Sequence, residues 1–306
     1  MEIFNSLFVI LLVALLGMLS RKTGIFARGH VKIISSFVYY FALPALFFVS
    51  ISNTDLFSID YKGAAGSILP IFIILFALYV LKLFKAISKD NFILLSLSVC
   101  FGSNAFFGVA FFETLSGGKW LPISILMASL FGFTGIVLTL IYFEYANKKD
   151  NAWKFFLKII RNPLIISLLL GVLCSLFKIR LAPVNNALAM LGKTAGGLAI
   201  FSLGIFMYDN FSLLSVKNAL VYSLFRSVML PLSTCLVIFV GMDIDPELRR
   251  FLLLQSGIPA AISLAVFAER YEYKVAEITG IVIITSFLSL IGLTLLFFIS
   301  KTALFQ

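Results

Sequence analysis

Two apolar stretches of the chain are interrupted near their middles by small polar residues, glycine or proline. The interrupting residues are Ser103, Asn104 and Gly108 in the first stretch and Ser256, Gly257, Pro259 and Ser263 in the second. In lipid, a helix broken at such a point exposes backbone groups, each of which costs several kcal/mol unless a partner satisfies it. Such breaks are therefore expected inside the protein, or facing water or a ligand.

A broken helix can bind an anion. Each half-helix end carries roughly half an elementary charge, positive at the N-terminal end, and the free N–H groups there bind carboxylates. We expect the serines and the asparagine to donate side-chain hydrogen bonds, and the glycines and the proline to open the backbone. The prediction is a binding site for a small organic anion. Each serine could instead bond back to a carbonyl of its preceding turn, which is common in membrane helices.

Two basic residues lie within other apolar stretches. Arg226 and Lys193 fall near mid-depth, where a charge costs about 2.5–3.5 kcal/mol even on the lenient insertion scale. One interpretation is a positive potential that draws an anion toward the site, with Arg226 among the binding residues. The alternatives are that Lys193 extends its amine to the interface and that Arg226 caps backbone carbonyls freed near Pro231.

Acidic residues fall almost entirely between the apolar stretches. Glu113 and Glu269 lie only at stretch ends, so no central carboxylate is expected to carry a proton. Movement driven by membrane potential and sodium coupling through neutral oxygens of Gln255, Ser256 and Asn104 both stay open. No other cofactor is expected, because one histidine and three isolated cysteines support neither a zinc site nor a disulfide framework.

The composition shows which elements must position these residues. Of 306 residues, 61% are hydrophobic and 12% are charged, and the mean hydropathy is +1.09. Soluble domains are about 45–50% apolar and about 25% charged, so an ordinary globular enzyme is excluded. The net charge of +10 does not indicate nucleic-acid binding, because Lys and Arg sit between the apolar runs. We expect an all-α integral membrane protein whose partner is the lipid bilayer.

Ten apolar runs of helix length follow one another. They cover about residues 4–20, 33–51, 63–81, 92–112, 122–143, 163–177, 184–207, 219–240, 251–268 and 276–300. The polar connection 144–162 divides the chain into 1–143 and 163–306, with five helices each. An odd number per half reverses the orientation of the second half, which predicts two inverted five-helix repeats. The interruptions fall in helices four and nine, at matching places, and indicate a site near the bilayer midplane.

The loops predict the orientation. Lys and Arg accumulate on the cytoplasmic side of membrane proteins, and most of those in the loops become cytoplasmic when both termini lie outside. The connection 144–162 is then cytoplasmic. The first run is interpreted as a membrane helix rather than a signal peptide, because Glu2 stands in place of a positive n-region. We expect a multi-pass protein of the bacterial cell (cytoplasmic) membrane.

Several stretches of the sequence resemble the auxin efflux carrier family, in the order in which that family has them. They are LLGMLSRKTGIF, YYFALPALFF, RNPLIISLLLGVL, LGKTAGGLAIFSLGIFM, FRSVMLP, SGIPAAISLAVFAERY and ITSFLSLIGLTLL. The chain departs from the family pattern in helix four, where Asn104 stands one residue later than usual and Ala110 replaces a proline. Gly197 replaces a proline in helix seven, and Ser263 replaces an asparagine in helix nine. In the family those asparagines and prolines shape the binding site.

The resemblance implies a particular fold and mechanism. Helices one, two, six and seven would form a scaffold, and the other six would form a transport domain in which broken helices four and nine cross. The resemblance thus implies an elevator-type transporter with a bile-acid-symporter-like fold. The resemblance also implies a small organic acid as substrate and a homodimer.

Two other functions stay open, and a third is not expected. A sodium-coupled organic-anion symporter of the bile-acid type would share the inverted ten-helix plan and depend steeply on sodium. A ligand-sensing membrane module would bind at the same site without transport. A membrane enzyme would need a cluster of His, Cys or acidic residues within the bilayer, and the sequence shows none, so we expect no enzymatic activity.

Overall fold

The computed structural model describes residues 2–27, 29–53, 61–116, 119–147, 157, 161–179, 182–210, 213–241 and 244–301. In these ranges the chain is almost entirely helical, and extended pairing is limited to one antiparallel bridge between Gly102 and Ala260. In chain order the helices are α1 (Glu2–Lys22), α2 (His30–Phe37), α3 (Leu43–Ser52), α4 (Tyr61–Leu83), α5 (Lys89–Cys100), α6 (Val109–Ser116), α7 (Leu121–Asn147), α8 (Pro163–Leu176), α9 (Ala182–Gly192), α10 (Thr194–Asn210), α11 (Leu213–Leu236), α12 (Pro246–Ser256), α13 (Ser263–Tyr271) and α14 (Val275–Ser300). Short π-helical turns adjoin α3, α6 and α11 at Val38–Ala42, Asn104–Gly108 and Val237–Gly241.

Five helical segments are long and apolar enough to cross a membrane. They are His30–Ser52, Tyr61–Leu83, Ala182–Phe206, Val216–Val240 and Val275–Ser300. Large apolar side chains point outward along them, such as Phe76, which is 69% exposed, and Ile291, which is 65% exposed. Faces of this kind suit lipid rather than water. The described part of the chain is thus an all-helical, membrane-embedded, multi-pass protein.

Several predicted runs differ from the helices that form. The run 92–112 consists of α5 and α6, because Phe101 adopts an extended conformation that ends α5. The run 251–268 consists of α12 and α13, separated by residues 257–262. The run 184–207 consists of α9 and α10, which meet at Lys193. Helix α7 continues to Asn147 instead of ending at residue 143, and most of the connection 144–162 lies outside the described residues.

The helices pack in two groups. The first contains α1–α3 and α8–α10, and the second contains α4–α7 and α11–α14. The groups meet where α2 packs on α13, where α1 packs on α6 and α14, and where α3 packs on α7. The two broken runs, α5–α6 and α12–α13, both belong to the second group.

Glycines bring two helices of the first group into backbone contact. A Cβ atom at Gly17 would collide with the Phe201 carbonyl, and one at Gly204 would collide with the backbone of α1. At the end of this seam, the Arg21 guanidinium lies 3.0 Å from the Asp209 carboxylate. Small residues at a membrane helix interface allow this close approach and the van der Waals packing that comes with it. Helices α1 and α10 therefore form one rigid pair.

Candidate functional site

The two predicted breaks meet in the structure. Gly102 and Ala260 pair in antiparallel fashion, the Ser103 N–H donates to the Pro259 carbonyl at 2.9 Å, and the Ala261 N–H donates to the Phe101 carbonyl at 2.9 Å. These bonds satisfy backbone groups that the breaks remove from the helical ladder, as a membrane interior requires. We call this junction of residues 101–104 and 257–262 the crossing.

Arg226 of α11 caps carbonyls on both sides of the crossing. Its side chain is buried, with 2% exposed. Nη1 donates to the carbonyls of Ser98 and Val99 at 2.5 and 3.2 Å, and Nη2 donates to those of Ile258 and Pro259 at 2.9 and 3.4 Å. The first pair lies in the last turn of α5, whose C-terminal end is electronegative. Arg226 therefore offsets unpaired carbonyls at both breaks.

This arrangement differs from the carbonyl-capping alternative stated for Arg226. The capped carbonyls belong to the two breaks and not to the helical turn next to Pro231. A guanidinium presents its donors as a planar fork, which allows one side chain to reach α5 and the segment after α12 together. Whether Arg226 also contacts a substrate stays a prediction.

Gly102 leaves the space that the crossing needs. A Cβ atom at this position would lie 2.8 Å from Asn104 Nδ2 and 2.9 Å from Arg226 Nη2. The amide of Asn104 and the guanidinium of Arg226 therefore approach the same point from different elements. A side chain at position 102 would displace one of them.

Two buried donors at the first break have no hydrogen-bond partner among the described residues. Ser103 is 3% and Asn104 is 4% exposed, and neither Ser103 Oγ nor Asn104 Nδ2 makes a hydrogen bond within the described part of the chain. The backbone carbonyl of Ser103 accepts from the N–H groups of Phe107 and Gly108 at 2.8 and 3.0 Å, so the second half of this broken helix begins there. Both side chains thus sit at its electropositive N-terminal end.

More of the polar groups at the second break have hydrogen-bond partners. Ser256 Oγ donates to the Leu253 carbonyl at 2.6 Å, which is the back-bonding alternative stated for the serines. Gly257 packs against α14, since a Cβ atom there would lie 2.7 Å from a methyl carbon of Leu296. Ser263 is 2% exposed and begins α13. At this break Gly257 and Pro259 lie in the crossing, Ser256 and Ser263 flank it, and the Ser256 hydroxyl has a partner.

Two residues that the sequence did not single out complete the crossing. Thr285 Oγ1 of α14 accepts from the Ala260 N–H at 3.1 Å while donating to the Ile281 carbonyl at 2.7 Å. Ser67 of α4 donates to Gln255 Oε1 at 2.7 Å. Polar residues in apolar helices are a general signal for such contacts, but this chain has many hydroxyl residues and nothing marks these two.

Lys193 does not belong to the helix group that contains the crossing. It sits at the junction of α9 and α10, in the first helix group, and its side chain is exposed. Its backbone N–H still donates to the Ala189 carbonyl at 3.0 Å. Among the described residues, no group of three or more His, Cys, Asp or Glu side chains is placed to hold a metal ion.

Comparison with known proteins places the chain among membrane transporters. Residues 2–298 match a family model described as membrane transport protein. An uncharacterized transporter of Methanocaldococcus jannaschii is 25% identical over 298 residues, covering 94% of this chain and 95% of that protein. Auxin efflux carrier component 3a of Oryza sativa subsp. japonica is 30% identical over 148 residues, covering 46% of this chain and 24% of the carrier.

A mouse protein shares a similar likeness. The lysosomal cholesterol signaling protein of Mus musculus is 25% identical over 322 residues, covering 94% of this chain. The chain spans only 36% of the mouse protein's length.

Proposed function

This chain belongs to the auxin efflux carrier family of membrane transport proteins, and from that premise we propose that it carries small organic anions, with the crossing as the binding site. Transport across a membrane is the activity of the family. The substrate class is our proposal, and the candidate binding residues are those around the two breaks and Arg226.

The observation that carries this proposal is the pair of unpartnered donors at the first break. Ser103 and Asn104 are both buried with free hydrogen-bonding capacity, and burying such groups without a partner costs about 1–3 kcal/mol each. An anion that accepts from both would remove this cost. The nearby guanidinium of Arg226 and the electropositive helix end would stabilise its negative charge.

We also propose how the site moves. We propose ten membrane helices in two inverted repeats, 1–143 and 163–306, joined by the connection 144–162. In this arrangement the first helix group is the scaffold and the second is the transport domain of an elevator. The crossing is bonded to α11 through Arg226 and to α14 through Thr285, and all of these elements belong to the second group. The site would therefore move as one body.

The proposed setting is the cell membrane, with both termini outside and the connection 144–162 in the cytoplasm. This orientation follows the loop charges. We also propose a homodimer, on the family resemblance alone. Two sources of driving force for transport stay open. One is the membrane potential, worth about 2.3 kcal/mol per charge per 100 mV, and the other is coupling to sodium.

The test is uptake of labelled carboxylates by proteoliposomes that contain the purified chain. Malonate, malate and indole-3-acetate form the panel, and each is measured in sodium and in potassium. We expect exchange of at least one carboxylate, and we expect Asn104→Ala to weaken its apparent affinity at least tenfold. Asn186→Ala is the matched control, because Asn186 is exposed on α9. Absence of exchange for every carboxylate would overturn the proposal.

A ligand-sensing module is the second candidate function. It is favoured by the likeness to the mouse lysosomal cholesterol signaling protein, over about a third of that protein's length. In the same proteoliposomes, a carboxylate that stabilises the chain against thermal unfolding without crossing the membrane would support sensing in place of transport. A sodium-coupled symporter of the bile-acid type would instead exchange carboxylates only in sodium.

A further inference from the structure

A small cavity lies where the two helix groups meet, away from the crossing. It is lined by Ser35 of α2, Ser202 and Phe206 of α10, Glu269 of α13 and Thr279 of α14, together with apolar side chains of α13 and α14. Its volume is about 10 Å³. A cavity of this size holds one water molecule or one small ion, and it is too small for an organic substrate.

The polar part of the cavity wall consists of oxygen atoms. Ser35 Oγ donates to Glu269 Oε2 at 2.5 Å, which joins the two helix groups. Ser202 Oγ directs its proton to the Ala199 carbonyl at 2.9 Å, so its lone pairs are left to accept or coordinate. A carboxylate and hydroxyl oxygens are ligands that hard cations prefer.

One wall oxygen has no partner. Thr279 is 4% exposed, and its Oγ1 makes no hydrogen bond within the described residues. A buried hydroxyl without a partner costs free energy, and here it borders a cavity that already holds a carboxylate. The cavity thus offers an unused oxygen to whatever enters it.

The charges around the cavity leave Glu269 without a direct counter-ion among the described residues. Lys32 attracts the Glu269 carboxylate electrostatically but forms no ion pair with it among the described residues. Lys32 Nζ lies 3.5 Å from the exposed Glu272 carboxylate, and the Arg270 guanidinium lies 5.2 Å from the centre of the Tyr40 ring. A single carboxylate balances a single positive charge, which matches a monovalent cation better than a divalent one.

We propose that this cavity binds one sodium ion, coordinated by Glu269 and the hydroxyl oxygens of Ser35, Ser202 and Thr279. The site draws ligands from both helix groups, so the ion stabilises the arrangement in which α2 and α10 lie against α13 and α14. It is distinct from sodium coupling through Gln255, Ser256 and Asn104 at the crossing. Its existence does not depend on which substrate the chain carries.

The experiment is thermal unfolding of the detergent-purified full chain in equal concentrations of sodium, potassium and choline chloride. We expect a saturable rise of the unfolding temperature in sodium and a much smaller one in the other two salts. Glu269→Gln should abolish the sodium response, and Thr279→Val should raise the apparent Kd for sodium about tenfold. Ser289→Ala is the matched control, since Ser289 is also buried on α14 but bonds to the Ser286 carbonyl.

Several outcomes would overturn the site. Equal responses to the three salts would exclude selective sodium binding, and a sodium response that survives in Glu269→Gln would place the ion elsewhere. A response to pH that is the same in sodium and choline would identify Glu269 as a proton site. If Glu269→Gln does not fold, equilibrium binding of radioactive sodium to the parent chain and to Thr279→Val decides, with one ion per chain and a weakened variant expected. Unchanged binding in Thr279→Val would then reject the proposal.

Discussion

The two breaks contain similar residues but satisfy their polar groups differently. At the first break, Ser103 Oγ and Asn104 Nδ2 are buried without partners in the described structure. At the second, Ser256 bonds back to its own helix, Gln255 accepts from Ser67, and the Ala260 N–H is held by Thr285. Free donors at one break and satisfied groups at the other indicate a division of labour. Under the proposed function, the first break would present the ligand-binding groups and the second would hold them in place.

Loss of Arg226 should have the largest effect, because this residue serves both breaks. Arg226→Leu leaves the carbonyls of α5 and of the segment after α12 without their charged donor. Hydrogen bonds to charged groups are worth about 1.5–3 kcal/mol each, so we expect a loss of roughly 3 kcal/mol or more in the free energy of unfolding. Denaturant unfolding in detergent measures it. Lys217→Leu, at an exposed site on the same helix, should be nearly neutral, and equal losses in both variants would contradict the capping role.

Ligand affinity shows most directly whether the two breaks contribute differently to binding. Asn104→Ala should weaken carboxylate binding at least tenfold, because it removes an unpartnered donor that we assign to the ligand. Ser256→Ala should change affinity less than twofold, because the Ser256 hydroxyl is already bonded to Leu253. Ligand-dependent shifts of the unfolding temperature give both affinities. Equal losses would show that the two breaks contribute alike.

Replacing Thr285 should destabilise the structure at the second break. Thr285→Val keeps the shape of the side chain but removes the acceptor for the Ala260 N–H. A buried N–H without a partner costs about 1–3 kcal/mol, and a loss of unfolding free energy in the lower part of this range is expected. The control is Thr294→Val, at an exposed threonine of the same helix that bonds to the Leu290 carbonyl. If Thr285→Val proves as stable as its control, the threonine does not support the crossing.

The smallest effect is expected at the contact between the residues just beyond the end of α6 and the start of α12, outside the apolar stretches. Hydrogen bonds from Lys119 and from Trp120, just beyond α6, lower the pKa of the Glu247 carboxyl at the start of α12. The Lys119 Nζ lies 2.7 Å and the Trp120 Nε1 2.8 Å from Glu247 Oε1. Exposed pairs of this kind contribute about 0.2–1 kcal/mol.

This contribution has a defined pH dependence. Because the pKa of Glu247 is lower in the folded state, its stabilisation is present above the ordinary carboxyl pKa of 4.5 and is lost as the pH falls through the folded value. Glu247→Gln should therefore lower the unfolding temperature slightly at neutral pH, and the difference from the parent should disappear in acid. A difference that grows on acidification would contradict this assignment.

The sequence was informative about the breaks because local rules govern them. Gly102, Ser103 and Asn104 interrupt a long apolar run, and Gly257 and Pro259 interrupt another. Interruptions in apolar helices must be buried or hydrated, so the positions of the breaks could be predicted from the order of residues in the sequence. The membrane-embedded, helical character of the chain follows from its composition.

The partners across the fold could not be predicted in the same way. Arg226 was expected near the site, but its acceptors in α5 and after α12 depend on how three helices pack. Thr285 and Ser67 are two among many hydroxyl residues, and only the packing separates them from the others. Glu269 lies at the end of its helix, as the sequence predicts, but the contact of its carboxylate with Ser35 of the other helix group could not be predicted. Each of these contacts depends on how helices that are distant in sequence pack against one another. The spacing of apolar residues along one sequence carries no information about that packing.

The glycine seam between α1 and α10 also has a mechanical consequence. Two backbones in direct contact have no side-chain layer between them. Helices α1 and α10 should therefore resist sliding past each other. The boundary between the helix groups is different, because it is built mostly of side chains, such as Tyr39 packing edge-on against Phe267 with ring centres 5.6 Å apart. In the proposed elevator movement, sliding along that boundary would replace one apolar side-chain contact by another. Resistance to that sliding would come from the polar bonds that span the boundary, of which Ser35 to Glu269 is one.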